Sequence, residues 1–347
     1  MPPTAAPGAA TPKGVSSGSR NLFEEQARNR RMTWFFIGVF VLFLAFLGFG
    51  LDLFVLGYDA TRLARRGQAP IPFAATLATL FGGASAWFGL RYGDRAVLAS
   101  SFARPIAPDD PAARTLMNVV TEMAIASGLP MPRVYVVDDP DPNAFATGRD
   151  PDHASVAVTT GLLMTMNREE LQGVIAHEMS HIRNYDIRTM TLVAALLGAV
   201  LLLADWTSRT RLRGPQSRDD EEGGGLSGPL ALVVFVVWLA AIVLAPLVGQ
   251  LLATAVSRKR EYLADASGAE LTRNPLGLAK ALRKLEAATA PTVRIARGTA
   301  HLCITDPLNR ALNDAEGRFA DLFATHPPVQ DRIARLEQMA YQVPASS

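Results

Sequence analysis

Residues 174–203 read VIAHEMSHIRNYDIRTMTLVAALLGAVLLL, and two signals meet in them. His177 and His181 stand four apart with Glu178 between them, and from Met190 onward the run is almost wholly apolar. Four residues of α-helix turn about 400°, so both imidazoles leave one helix face a turn apart and can chelate one ion. Glu178 is placed to reach a water on that ion as general base. The apolar run that follows suits hydrocarbon, so a site that needs water lies at the mouth of a membrane helix. Upstream, Asn167 with Glu170 three positions on is a helix start, which places HEMSH on a helix begun at Asn167.

A catalytic zinc takes three protein ligands and keeps an open position. The metzincin pattern is absent, because Asn184 stands where its glycine would be and Ile187 where its third histidine would be. The leading alternative is Glu261 in REYLAD, with Asp265 on the same helix face at i, i+4. Glu261 would bind the metal and Asp265 would hold the outer N–H of a ligand histidine. A two-histidine, one-carboxylate set also holds iron; the Glu178 spacing favours zinc. Metal–ligand bonds of about 2 Å require Glu261 on the same side of a bilayer as His177 and His181. The intervening chain must then cross an even number of times, and it holds two apolar spans, 190–204 and 230–256.

The remaining chain fits a membrane protein. Apolar residues make up 49% of its 347 positions and are bunched, with further spans at 34–51 and 71–90. Asp52 would sit at an interface, and Gly82, Gly83, Ala84 and Ser85 would suit close helix packing. A net charge of +2 without a basic, aromatic-interleaved stripe argues against nucleic acid. Cys303 is the only cysteine, which excludes an internal disulfide and a thiolate cluster and fits a reducing compartment. Arginines 28, 30, 31, 91, 95, 183, 188, 258 and 260 with Lys259 outnumber those of the two opposite loops, which favours a cytoplasmic catalytic side. RVYVVD at 133–138 and ASVAVT at 154–159 read as strands, and helices are expected from Asn274-Pro275 and after Pro327-Pro328.

Four stretches carry a resemblance: PNAFATG (142–148), ELQGVIAHEMSHIRNYD (170–186), SRKREYLAD (257–265) and THPPVQDRI (325–333). In this order they resemble HtpX-like membrane zinc metalloproteases, relatives of the CAAX prenyl endopeptidases. The resemblance implies a mainly α membrane protein with about four transmembrane helices and a gluzincin-type, zincin-like α+β protease domain with a small sheet. It implies one Zn2+ per chain on His177, His181 and Glu261, with Glu178 as base. Asn143, Ala144 and Phe145 would lie near the substrate, and His326 and Arg332 would approach the cleaved carbonyl. Substrate would extend beside the 154–159 strand as an added edge strand. His153 and His301 fall outside these motifs and read as structural or exposed.

The expected organisation is a disordered tail at 1–30 that is not a signal peptide, two transmembrane helices at 31–95 and a first protease segment at 96–188. Two more transmembrane helices at 189–256, joined by a charged loop at 207–229, lead to a second protease segment at 257–347. The implied activity is cleavage of damaged or misfolded membrane proteins at the cytoplasmic face of the inner (plasma) membrane, for quality control. A dedicated processing or prenyl-type peptidase and a catalytically silent zinc-binding scaffold are the alternatives. Partners are polypeptide substrates and the bilayer, and a homo-oligomer is left open.

Overall fold

The computed structural model describes residues 18–54, 56–106, 113–209, 229–289, 292–295, 299–305 and 326–342. The tail at 1–17 and most of the 207–229 loop lie outside these residues. Helix α1 (Gly18–Phe54) begins well before the apolar span, which corrects the expected tail of 1–30. Helix formation is costly to nucleate and cheap to extend, so the long span beginning at Trp34 carries the charged FEEQARNRR run with it.

After a short α2 (Ala60–Arg65), α3 (Phe73–Ser100) returns antiparallel to α1. Ala27–Phe54 and Phe73–Ser100 are the two helices among the described residues long and apolar enough to cross a membrane. Large apolar side chains, including Trp34, Leu42, Phe73, Trp87 and Phe88, face outward from them, as lipid-facing residues do. Close contact between the two helices depends on Gly48, where a Cβ would stand 2.6 Å from the Ala74 carbonyl oxygen. Asp52 does more than sit at an interface. The N-cap of α3 is Pro72, which offers no side-chain cap, and Asp52 fills that role from the neighbouring helix. Its two oxygens accept from the backbone N–H groups of Ala74 (2.9 Å) and Ala75 (2.8 Å).

Four short strands form a mixed sheet: β1 (Arg104–Pro105), β2 (Arg133–Val137), β3 (Ala144–Gly148) and β4 (Ala154–Thr159). Their order is β1-β2-β4-β3, with β4 parallel to β2 and antiparallel to β3. The expected substrate edge at 154–159 is therefore corrected: β4 is paired on both sides, and the edges are β3 and the two-residue β1. The β3–β4 connection is a short turn at 149–153, which lets β4 insert between β3 and β2.

The helices α4 (Arg114–Ser127), α5 (Thr160–Thr165), α6 (Arg168–Arg183), α9 (Pro275–Glu286) and α10 (Val329–Gln342) complete the polar half with α7 (Asp186–Arg209) and α8 (Pro229–Thr272). The expected spans at 190–204 and 230–256 fall within α7 and α8. Helix α6 is the central element, buried along nearly its whole length from Glu170 to Ile182. Ile175 and Met179 share one core with Leu116 and Val120 of α4, Val156 of β4, Leu278 and Leu282 of α9 and Leu336 of α10. A helix enclosed on all sides is a rigid platform for the two histidines and the glutamate it carries.

Candidate metal centre

The register of α6 is set at its first turn by a reciprocal cap. Asn167 Oδ1 accepts from the Glu170 N–H (2.9 Å), and Glu170 Oε2 accepts from the Asn167 N–H (2.9 Å). Glu170 also receives Lys284 Nζ of α9 at 2.6 Å, so the cap is tied to the core. Helix α8 meets α6 at Gly268, where a Cβ would stand 3.1 Å from the backbone nitrogen of His177. Two turns earlier on α8, Glu261 reaches the same histidine.

His177, His181 and Glu261 each offer one ligand atom, all within 4.8 Å of one another. The two Nε2 atoms are 3.2 Å apart. His177 Nε2 is 3.5 Å from Glu261 Oε2, and His181 Nε2 is 3.5 Å from Glu261 Oε1. A tetrahedron with metal–ligand bonds of about 2 Å has edges of about 3.3 Å, so these donors fit one face of it.

The outer ring nitrogens strengthen that fit. His177 Nδ1 lies 3.0 Å from Asp265 Oδ1, and His181 Nδ1 lies 3.1 Å from Asp186 Oδ2. Asp186 holds His181 through its Nδ1, which turns its Nε2 toward the centre, and Asp265 stands behind His177 in the matching position. Two ring nitrogens and a buried carboxylate converging there call for a cation. Burial by itself would lower the pKa of His177, but Asp265 and Glu261 outweigh it and raise the value to about 9. Glu261 moves the other way: burial opposes its charge, yet His326, His177 and Arg332 hold it well below the ordinary range.

Glu178 is buried beside both histidines, and neither of its oxygens has a hydrogen-bond partner among the described residues. Burial pushes its pKa up against the pull of His177 and His181, with Glu261 adding to the rise. That is the environment of a carboxylate poised to take a proton.

The structure gathers the other candidates around the same centre. Arg332 is fully buried and grips Asp265 with two bonds of 2.8 Å, Nε to Oδ2 and Nη2 to Oδ1. Its Nη1 lies 3.4 Å from Glu261 Oε2 and donates to the Ile304 carbonyl at 2.7 Å. His326 Nδ1 is 3.4 Å from Glu261 Oε2, and neither of its ring nitrogens has a hydrogen-bond partner among the described residues. His153 is exposed beside Asp150, and His301 is packed near the Met190 carbonyl, and neither belongs to the His177, His181 and Glu261 group.

Asn143, Ala144 and Phe145 open the edge strand β3. The Asn143 carbonyl accepts from the Thr159 N–H, so by strand alternation the Ala144 carbonyl faces outward. There it accepts from the Ile304 N–H at 3.0 Å, next to an antiparallel bridge between Phe145 and Cys303. Asn143 Nδ2 donates to the Thr305 carbonyl at 3.0 Å. Residues 303–305 thus lie along the outer edge of β3, their carbonyls held by Arg332 and Asn143.

Sequence reasoning overlooked Asp186, which lies inside the HEMSHIRNYD stretch. The available signal is a carboxylate five residues after the second histidine of HEMSH, just past a turn in which Tyr185 has φ 60°. It also overlooked Asn29, whose Nδ2 donates to Asp186 Oδ1 at 2.7 Å.

The profile of peptidase family M48 matches residues 111–340. A protease HtpX homolog of Thermoanaerobacter pseudethanolicus is 42% identical over 322 residues, spanning 92% of this chain and 98% of the relative. Another, from Streptococcus thermophilus, is 43% identical over 318 residues, spanning 92% of this chain and the whole relative. Among solved structures, S. mikatae Ste24p aligns with a TM-score of 0.42 at 19% identity, over 76% of this chain and 64% of that one.

Proposed function

The chain belongs to peptidase family M48, and from that premise we propose that it is a membrane-embedded, zinc-dependent endopeptidase that cuts damaged or misfolded membrane proteins at the cytoplasmic face. The observation that carries this reading is the buried triangle of His177, His181 and Glu261 with an unpartnered Glu178 beside it. In this reading α7 and α8 add two crossings to α1 and α3, and the pair of crossings returns Glu261 to the side of His177. The Lys/Arg excess on that side supports its cytoplasmic placement. An unpartnered buried base has no use in a silent metal-binding scaffold.

When bound to the three ligands, zinc lowers the pKa of water and polarises a carbonyl. Glu178 accepts the proton of the attacking water and hands it to the leaving nitrogen. His326, 3.4 Å from Glu261, shares in stabilising the developing oxyanion, and Arg332 holds Glu261 and Asp265 in place, its Nη1 passing from the Ile304 carbonyl to a substrate carbonyl once 303–305 are displaced. Substrate adds to β3 by displacing residues 303–305 and takes over the Ala144 carbonyl and Asn143 Nδ2, which here hold Ile304 and Thr305. Purified full-length protein in detergent is expected to carry one zinc per chain and to cleave casein. Cleavage should fall in proportion to the metal a chelator removes and return with Zn2+; full cleavage by metal-free protein overturns the proposal.

Use of the β3 edge has its own test, because Cys303 is the sole cysteine and pairs directly with Phe145. Antiparallel partners are spaced for a disulfide. Oxidised Phe145→Cys protein should lose casein cleavage because residues 303–305 are then locked on the edge, and reductant should restore it. If the oxidised and reduced forms cleave equally, substrate does not use the Ala144 position.

A further inference from the structure

Each ligand histidine has its own carboxylate, but the two carboxylates are supported from different parts of the fold. Asp265, behind His177, is held by Arg332 of the protease half. Asp186, behind His181, is held by α1, the first candidate membrane helix. Asn29 Nδ2 donates to Asp186 Oδ1 at 2.7 Å and to the Asn184 carbonyl at 2.8 Å, and Asn29 is 2% exposed. Asp186 is as deeply buried, with Arg260 Nε 3.5 Å from the same Oδ1. One turn along α1, Thr33 Oγ1 donates to the Asn29 carbonyl (2.9 Å) and meets Thr189 Oγ1 at 3.0 Å. Asn29 and Thr33 thus dock one face of α1 on the α6–α7 junction, and Asn29 meets the carboxylate that stands behind His181.

We propose that Asn29 and Asp186 are positioning residues for the metal: Asp186 fixes the ring and tautomer of His181, and Asn29 fixes the rotamer of Asp186. Metal affinity is in this way coupled to the seating of the first membrane helix. The inference rests on the metal-site reading above. The physical reason is that a ligating imidazole binds well only when its outer N–H is held, and a holding carboxylate works only when it is itself fixed. Asn29 suits that task because its short amide donates to Asp186 Oδ1 at 2.7 Å, closer than Arg260 Nε at 3.5 Å, and ties it to the Asn184 carbonyl.

The test is a double-mutant cycle on the full-length protein, reading Co2+ affinity by chelator competition and the visible absorption of the bound Co2+. Asp186→Ala is expected to weaken binding by about 10- to 100-fold. Asn29→Ala should weaken it by about 10-fold in the native background and alter the Co2+ spectrum, but should change affinity less than about 2-fold when Asp186 is already alanine. Helix docking alone would cost the same factor in both backgrounds, and that result overturns the proposal, as does unchanged affinity in Asn29→Ala. If the native protein binds no Co2+ that His181→Ala abolishes, the metal-site reading fails first and this inference with it. Unfolding of the metal-free variants, measured in parallel, separates loss of fold from loss of affinity.

Discussion

Glu178→Gln protein is expected to hold its metal with near-native affinity and to cleave casein at least about 1,000-fold more slowly, since general acid–base catalysis contributes factors of that order. Glutamine has the same length and nearly the same volume, so the packing of α6 against β3 and α8 is retained. What it loses is the ability to accept a proton. Burial pushes the pKa of Glu178 up, and His177 and His181 beside it favour the charged form. That balance gives a carboxylate able both to take a proton and to give it back. Stability should not fall, because the substitution removes a buried charge that has no hydrogen-bond partner among the described residues. Metal content, unfolding and casein turnover measured on one preparation check all three statements. Native-like turnover with metal bound would remove Glu178 from the role of base.

The same helix shows why some of the site was legible in the sequence and some was not. The cap at Asn167, the His177–His181 spacing and the Glu261–Asp265 pair are local patterns, each decided within a turn or two of helix. The strands at 133–137 and 154–159 are rich in valine and stand out for that reason. Strand β3 does not, because AFATG holds no valine or isoleucine, and the valine-rich 154–159 run reads as the edge in its place. Pairing order is a long-range property that composition along one strand cannot encode. Asp186 lies past a backbone kink at Tyr185, where helical periodicity no longer says which residues share a face. Asn29 is 155 residues from the Asn184 carbonyl it meets, and it sits in a basic run that reads as a solvated tail. Its burial follows only from the tertiary return of α7 against α1.

Arg332→Ala is expected to destabilise the protein by about 3–5 kcal/mol, the cost of breaking a buried ion pair by removing one partner. Arg332 is wholly buried, with Asp265 in a two-bond grip, Glu261 3.4 Å away and the Ile304 carbonyl on its third nitrogen. Alanine leaves two buried carboxylates and a peptide carbonyl without their donor. Arg332→Lys keeps the charge but cannot form the two-pronged contact, so its deficit should be intermediate. The pH dependence separates electrostatics from packing. Burial would raise the pKa of Asp265, but Arg332, with help from His177, pulls it below the ordinary value of 3.8. A depressed folded-state pKa contributes stability that is present above the unfolded value and is lost as pH falls through the folded one. The gap between native and Arg332→Ala protein should thus be widest near neutral pH and narrow as pH drops below 3.8. Denaturant unfolding of the metal-free proteins across that range reads the gap directly. A gap of constant size would mean that Arg332 acts through its packing volume and not through the charge it presents to Asp265.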